Sequence, residues 1–165
     1  MVDPMIAYFK AEKAGSVLII LAALIGGFIS VYMFMKLKEN FLTGLSIPLF
    51  SIALIQLIVG SSVFFRTDKQ VANLANTYSE SIKNFVDKEK PRMEKVLSSF
   101  RIYKWIEAAF IIAGLLLLLF TSDKNLWAGI GLGLLLQGSL MLAFDIFAER
   151  RAEIYMSWIN SITGG

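Results

Sequence analysis

The chain has 165 residues, 56% of them hydrophobic, only 18% charged, with a formal net charge of +3. That charged share lies below the roughly 25% usual for soluble domains, and with a mean hydropathy of +0.65 it predicts one all-α integral membrane bundle rather than two soluble domains. Cysteine and histidine are both absent, which excludes thiol nucleophiles, disulfide-stapled loops, His-ligated haem and most zinc sites; no cofactor, metal or catalytic residue is assigned.

A helix needs about 20 apolar residues to cross a hydrocarbon core of ~30 Å. The first uncharged run, residues 14–35, predicts a span over about 14–36. It exceeds a signal-peptide h-region and no A-x-A-like site follows it, so it is read as a retained span. Ala22, Ala23, Gly26, Gly27 and Ser30 give it a stripe of small residues suited to close helix packing, and Glu12 stands at its start. The second uncharged run, residues 40–65, predicts a span over about 42–65, with Pro48 at a first-turn position or a kink. Gln56 lies ten residues before Arg66, about 15 Å along the helix and so near the bilayer centre. An amide there must find a protein partner, because lipid offers none.

From Arg66 to Phe100 the pattern turns amphipathic. Val71, Leu74, Tyr78, Ile82 and Phe85 recur at spacings of three and four, the mark of one helix face. A break is expected at residues 87–91, because proline suits the first turn of a new helix and disfavours helix at the residue before it. Met93, Val96, Leu97 and Phe100 then form the apolar face of a second helix. Residues 66–101 therefore predict a cytoplasmic amphipathic helical hairpin between helices 2 and 3. Internal packing is the first expectation for its apolar stripe. Docking of a cytoplasmic or membrane protein partner on that stripe is the functional one.

The third uncharged run holds only residues 108–122, too few to span, so the span is placed at about 102–121. Glu107 then sits about one turn inside the boundary, with Arg101, Tyr103, Lys104 and Trp105 at the interface, where such residues anchor or snorkel. The fourth span is placed at about 125–147. Gln137, eight residues before Asp145, is as deep as Gln56, and the two are expected to bond each other or helix carbonyls as interhelical glue. Gly129 and Gly133 form a GxxxG pair. Gly131, Gly138 and Asp145 repeat every seven residues along one left-handed seam. Asp145 and Glu149 share a face at the end of this span.

Four spans put both termini and the middle segment on one side, together with thirteen of the sixteen basic residues. The positive-inside rule makes that side cytoplasmic. Acidic and basic residues interleave there, so the charge is read as a solvated face near anionic lipid, with no nucleic-acid partner. Glu12, Arg66, Arg101, Glu107, Asp145, Glu149 and Arg150 meet at one membrane level, as a ring of interfacial salt bridges or as an ion, headgroup or gating site. A faint repeat relates Tyr8–Glu12 to Tyr103–Glu107 and Gln56 to Gln137, as two parallel hairpins would.

Three functions fit these residues. The favoured one is a homo-oligomeric scaffold or accessory subunit whose hairpin docks or regulates a partner. The alternative is a homo-oligomeric channel or small transporter, lined by Gln56 and Gln137 and gated by the charged ring. The last is a lipid-acting enzyme using Glu107, Asp145 or Glu149 as acid or base, with Arg101 or Arg150 on the headgroup.

Overall fold

A computed structural model describes residues 3–121 and 125–163. Four helices account for nearly all of them: α1 (Asp3–Tyr32), α2 (Asn40–Glu80), α3 (Ile82–Phe120) and α4 (Leu126–Thr163). Each is long and apolar enough to cross a membrane. At 1.5 Å per residue α2 is about 60 Å long, twice the hydrocarbon thickness.

α1 ends in a π-helical turn, Met33–Leu37, closed by Lys38 in the left-handed region at φ 50°. Glu39 is extended, and α2 starts at Asn40. Between α3 and α4, residues 122–124 fall outside the described residues.

The junction of α2 and α3 corrects the sequence reading. The break lies at Ser81, not at residues 87–91, and Pro91 sits inside α3. Ser81 serves both helices: its N–H donates to the Thr77 carbonyl at 3.0 Å, and its Oγ accepts from the Asn84 N–H at 3.3 Å. Asp87 and Pro91 lie on the exposed face of α3. Water can therefore satisfy the carbonyl that the proline leaves without a donor, and the helix continues. Ile82 and Phe85 consequently belong to α3 and do not extend the stripe of α2. Pro48, likewise, is buried within α2.

α2 and α4 form the centre and run in the same direction, since Gly44 backs onto Leu126 and Ile130 and Gly133 onto Leu45 and Pro48. α1 lies antiparallel on α2, with Gly60 against Ser16 and Ile20, and α3 lies antiparallel on α4, with Gly138 against Glu107 and Ile111. The backbones of α1 and α3 stay apart, and those of α2 and α3 approach little, so these pairs meet through side chains at the Ser81 end. α4 carries two glycine faces: Gly129 and Gly133 admit α2, Gly131 and Gly138 admit α3. At Gly131 a Cβ would lie 2.8 Å from Leu117 Cβ and 2.9 Å from the Gly114 carbonyl oxygen, so only glycine allows this approach.

At the Ser81 end the four helices close around large side chains. Met5 and Phe9 of α1, Leu74 of α2, Phe85, Val86 and Met93 of α3, and Ala152, Tyr155 and Ile159 of α4 are buried together. Tyr8 stacks on Tyr155 at 4.6 Å, and Tyr78, Phe85 and Trp158 form a further aromatic group. Each fully buried large side chain contributes about 2 kcal/mol by area.

Candidate functional site: a charged cleft where the apolar zone ends

The predicted charged ring assembles partly. Arg66 Nη2 is 3.4 Å from Glu12 Oε1, and Lys104 Nζ is 2.5 Å from Glu149 Oε2. Lys13 and Asp68 add a pair at 2.5 Å. Arg101 and Arg150 are exposed and make no ion pair with the described residues. Glu107 is 1% exposed and lies beside Asp145. Two carboxyl groups can share a hydrogen bond only when one holds a proton; without that proton both Glu107 oxygens lack a donor.

Gln56 and Gln137 are both buried in the bundle, yet no hydrogen bond joins them among the described residues. Gln137 turns its amide toward Gly26, and its Oε1 has no donor. Of the predicted docking face, Leu74 and Phe85 are buried, Val71 and Tyr78 pack against the same core, and Ile82 is exposed. α1 and α4 cover the stripe.

A cleft of about 600 Å³ opens beside the charged ring. All four helices line it. Ile19, Ile58, Val59, Val63 and Phe144 make one end apolar, and Arg66, Arg92, Lys95 and Arg151 make the other basic, with Glu12 and Asp145 as its acidic groups. A second groove of about 370 Å³ continues from it between α2 and α3, sharing Arg66, Gln70 and Arg92 and adding Lys69 and Lys88. The cleft exists because α2 and α3 stand apart while each packs on its other neighbour. Arg151 reaches across to α1, where a Cβ at Gly15 would lie 3.3 Å from its Nη2.

One wall is built by a network that hydropathy did not reveal. Glu89 is 1% exposed and accepts from Arg92 Nε at 2.7 Å, Arg92 Nη2 at 2.6 Å and the Tyr155 hydroxyl at 3.1 Å. The Arg92 guanidinium also lies over the Phe9 ring, 5.4 Å from its centroid. Burial, then the carboxylate of Glu12, pushes the Tyr8 hydroxyl up to about 12. Burial and the Glu89 carboxylate raise that of Tyr155. Burial opposes the charge of Arg92, but its hydrogen bonds to Glu89 outweigh this and hold it protonated. Glu12 is raised above the usual carboxylate range by burial, against the pull of Arg66 and Arg92, and its Oε2 has no donor.

No protein-family model, curated protein or solved structure matches the chain. The arrangement of its own residues is what bears on its role.

Proposed function

We propose that the chain is a multi-pass integral membrane protein. Its helices cross the bilayer up and down, both termini and the Ser81 turn face the cytoplasm, and residues 66–101 rise from the membrane as a hairpin clamped by α1 and α4. The observation that carries this reading is a reversal of burial along the same four helices. Toward Lys38 the buried positions are mostly small, such as Ala23, Ser30 and Ala53, while Phe28, Leu119 and Phe120 are 76%, 75% and 83% exposed. Toward Ser81 most of the large side chains are inside, Met5, Phe9, Phe85, Met93, Tyr155 and Ile159 among them, with Ile82 and Ile154 the exposed exceptions. Lipid solvates apolar side chains and leaves helix contacts to small residues, whereas water drives large apolar side chains inward. The lysine and arginine bias supports the same orientation.

Within this reading the protein acts as an accessory or scaffold subunit, and its binding feature is the charged cleft at the cytoplasmic boundary. The hairpin's apolar stripe does not serve, because the chain itself covers it. The close backbone contacts of α4 with α2 and α3 argue against an aqueous path through one chain, so a channel would require several subunits.

The chain has no cysteine, so single introduced thiols report one position each. Lys83→Cys should react with a membrane-impermeant maleimide only from the cytoplasmic side, and Glu39→Cys only from the other. Labelling of both from one side would refute the topology. Native mass spectrometry from nanodiscs then decides the subunit count, and a closed ring of four or more would favour the channel.

A further inference from the structure

Arg151 and Lys95 line the cleft without an ion-pair partner among the described residues, and Arg66 reaches Glu12 only at 3.4 Å. Arg92 is neutralised by Glu89. Lys95 and Arg151 thus remain unpaired for an outside anion, beside Arg66, whose one carboxylate contact is the long pair with Glu12. The cleft straddles the level at which the apolar zone ends, from Ile58 to Gln70 on α2 and from Phe144 to Arg151 on α4. Ile58 and Val59, at its apolar end, are 70% and 51% exposed, so this end is open sideways to whatever surrounds the apolar zone. A soluble anion would need only the basic half. The pairing of a basic half with an open apolar half fits a molecule that carries both a phosphate and a hydrocarbon chain.

We propose that this cleft binds the phosphate headgroup of an anionic phospholipid of the cytoplasmic leaflet, held by Arg66, Arg151 and Lys95, with an acyl chain leaving over Ile58 and Val59. The proposal rests on the membrane topology above and adds the ligand class. A volume of about 600 Å³ lies within the roughly 300–1,000 Å³ typical of small-molecule sites. It accommodates a headgroup and the first part of one chain. Arg151 and Arg66 approach from different helices, as chelation of a phosphate by separate guanidinium groups requires.

The test uses the full chain in nanodiscs that mix phosphatidylglycerol with phosphatidylcholine, followed by native mass spectrometry of lipids retained on release. Wild type should keep one phosphatidylglycerol in preference to phosphatidylcholine. The double variant Arg66→Gln, Arg151→Gln should reduce that retention by about tenfold or more, given the attraction of two basic groups near a membrane surface. Arg66→Lys, Arg151→Lys should restore most of it, and Lys36→Gln, at the far end of the bundle, should change nothing. Equal retention of both lipids by wild type, or undiminished retention by the glutamine variant, overturns the proposal. So does displacement of the lipid by millimolar glycerol phosphate, which would make the ligand a soluble phosphate. Thiol labelling of Lys83→Cys in vesicles of the same lipids separates the two readings. Correct labelling without lipid preference removes this inference alone, while labelling from the wrong side removes the topology as well.

Discussion

Glu89→Gln is the most telling single change in the polar half of the bundle. The glutamine fits the same space but offers one acceptor oxygen where the carboxylate takes three hydrogen bonds, two from Arg92 and one from Tyr155. Its amide nitrogen would point donors at donors. Removing one partner of a fully buried ion pair costs about 3–5 kcal/mol. The Arg92 side chain is 27% exposed, so water recovers part of this, and about 2–3 kcal/mol is expected. Tyr155→Phe, which deletes only one hydrogen bond, should cost about 1 kcal/mol. The double variant Glu89→Leu, Arg92→Met removes both charges together, and a buried pair exchanged for apolar side chains is often close to neutral, within about 1 kcal/mol. Thermal unfolding in detergent micelles, followed by circular dichroism, gives all three values. A loss below about 0.5 kcal/mol for Glu89→Gln, or a double variant as damaged as the single one, would refute a closed, desolvated network.

Alkaline pH should open the same region. With the Tyr8 hydroxyl pushed up to about 12 and Tyr155 raised as well, the folded state holds these protons after the unfolded chain has released them near pH ~10. The stabilisation is therefore complete below pH ~10 and is lost as pH climbs through about 12, roughly 3 kcal/mol for Tyr8 alone. Tyrosinate absorbance should show late ionisation coincident with unfolding; ionisation of all five tyrosines near the ordinary value with the bundle intact would contradict this. Gly131→Ala should destabilise by about 1–3 kcal/mol through overpacking, whereas Gly26→Ala, whose Cβ would meet nothing nearer than Gln137 Nε2 at 3.9 Å, should be neutral or gain from helix propensity. Equal melting shifts for the two would undo the close-contact argument. Gln137→Leu removes a buried oxygen that has no donor and should leave stability unchanged or raise it by about 1 kcal/mol. A loss beyond about 2 kcal/mol would mean the amide holds helices together after all.

Hydropathy made the four apolar runs and the grouping of Glu12 with Arg66 legible, because each depends on where charge stops along a helix. It misplaced the helix break. Proline is the louder local signal, but its cost depends on whether the released carbonyl meets water, and at Asp87 it does. Ser81 decides the turn because it can cap two helices at once, which no propensity of a lone serine announces. The network was missed because Glu89 sits in the charged stretch Asp87-Lys88-Glu89-Lys90, which reads as solvated. Its spacing held the clue: Glu89 falls three residues after Val86 and four before Met93, on the face those two bury. That Gln137 faces Gly26 rather than Gln56 was not legible at all, since which helix face meets which is set by glycine contacts between distant segments.

The overhang of α1 and α4 answers the question the hairpin raised. Two helices alone would leave Leu74, Phe85 and Met93 half in water, and a hairpin of that kind would need a partner to cover it. Met5 and Phe9 from one terminus and Ala152, Tyr155 and Ile159 from the other supply that cover. In the proposed topology the hydrophobic effect acts mainly at this end, while in the apolar zone lipid would compete for every leucine and glycine contacts would hold the helices. The polar half can thus fix helix register for the whole bundle. What it leaves unsatisfied is charge rather than apolar area: Lys95 and Arg151, beside the loosely paired Arg66, line the cleft where α2 and α3 part. A ligand for this protein should therefore be sought among anions that reach the membrane boundary, and a partner protein that binds through the hairpin's apolar stripe would first have to displace α1 and α4.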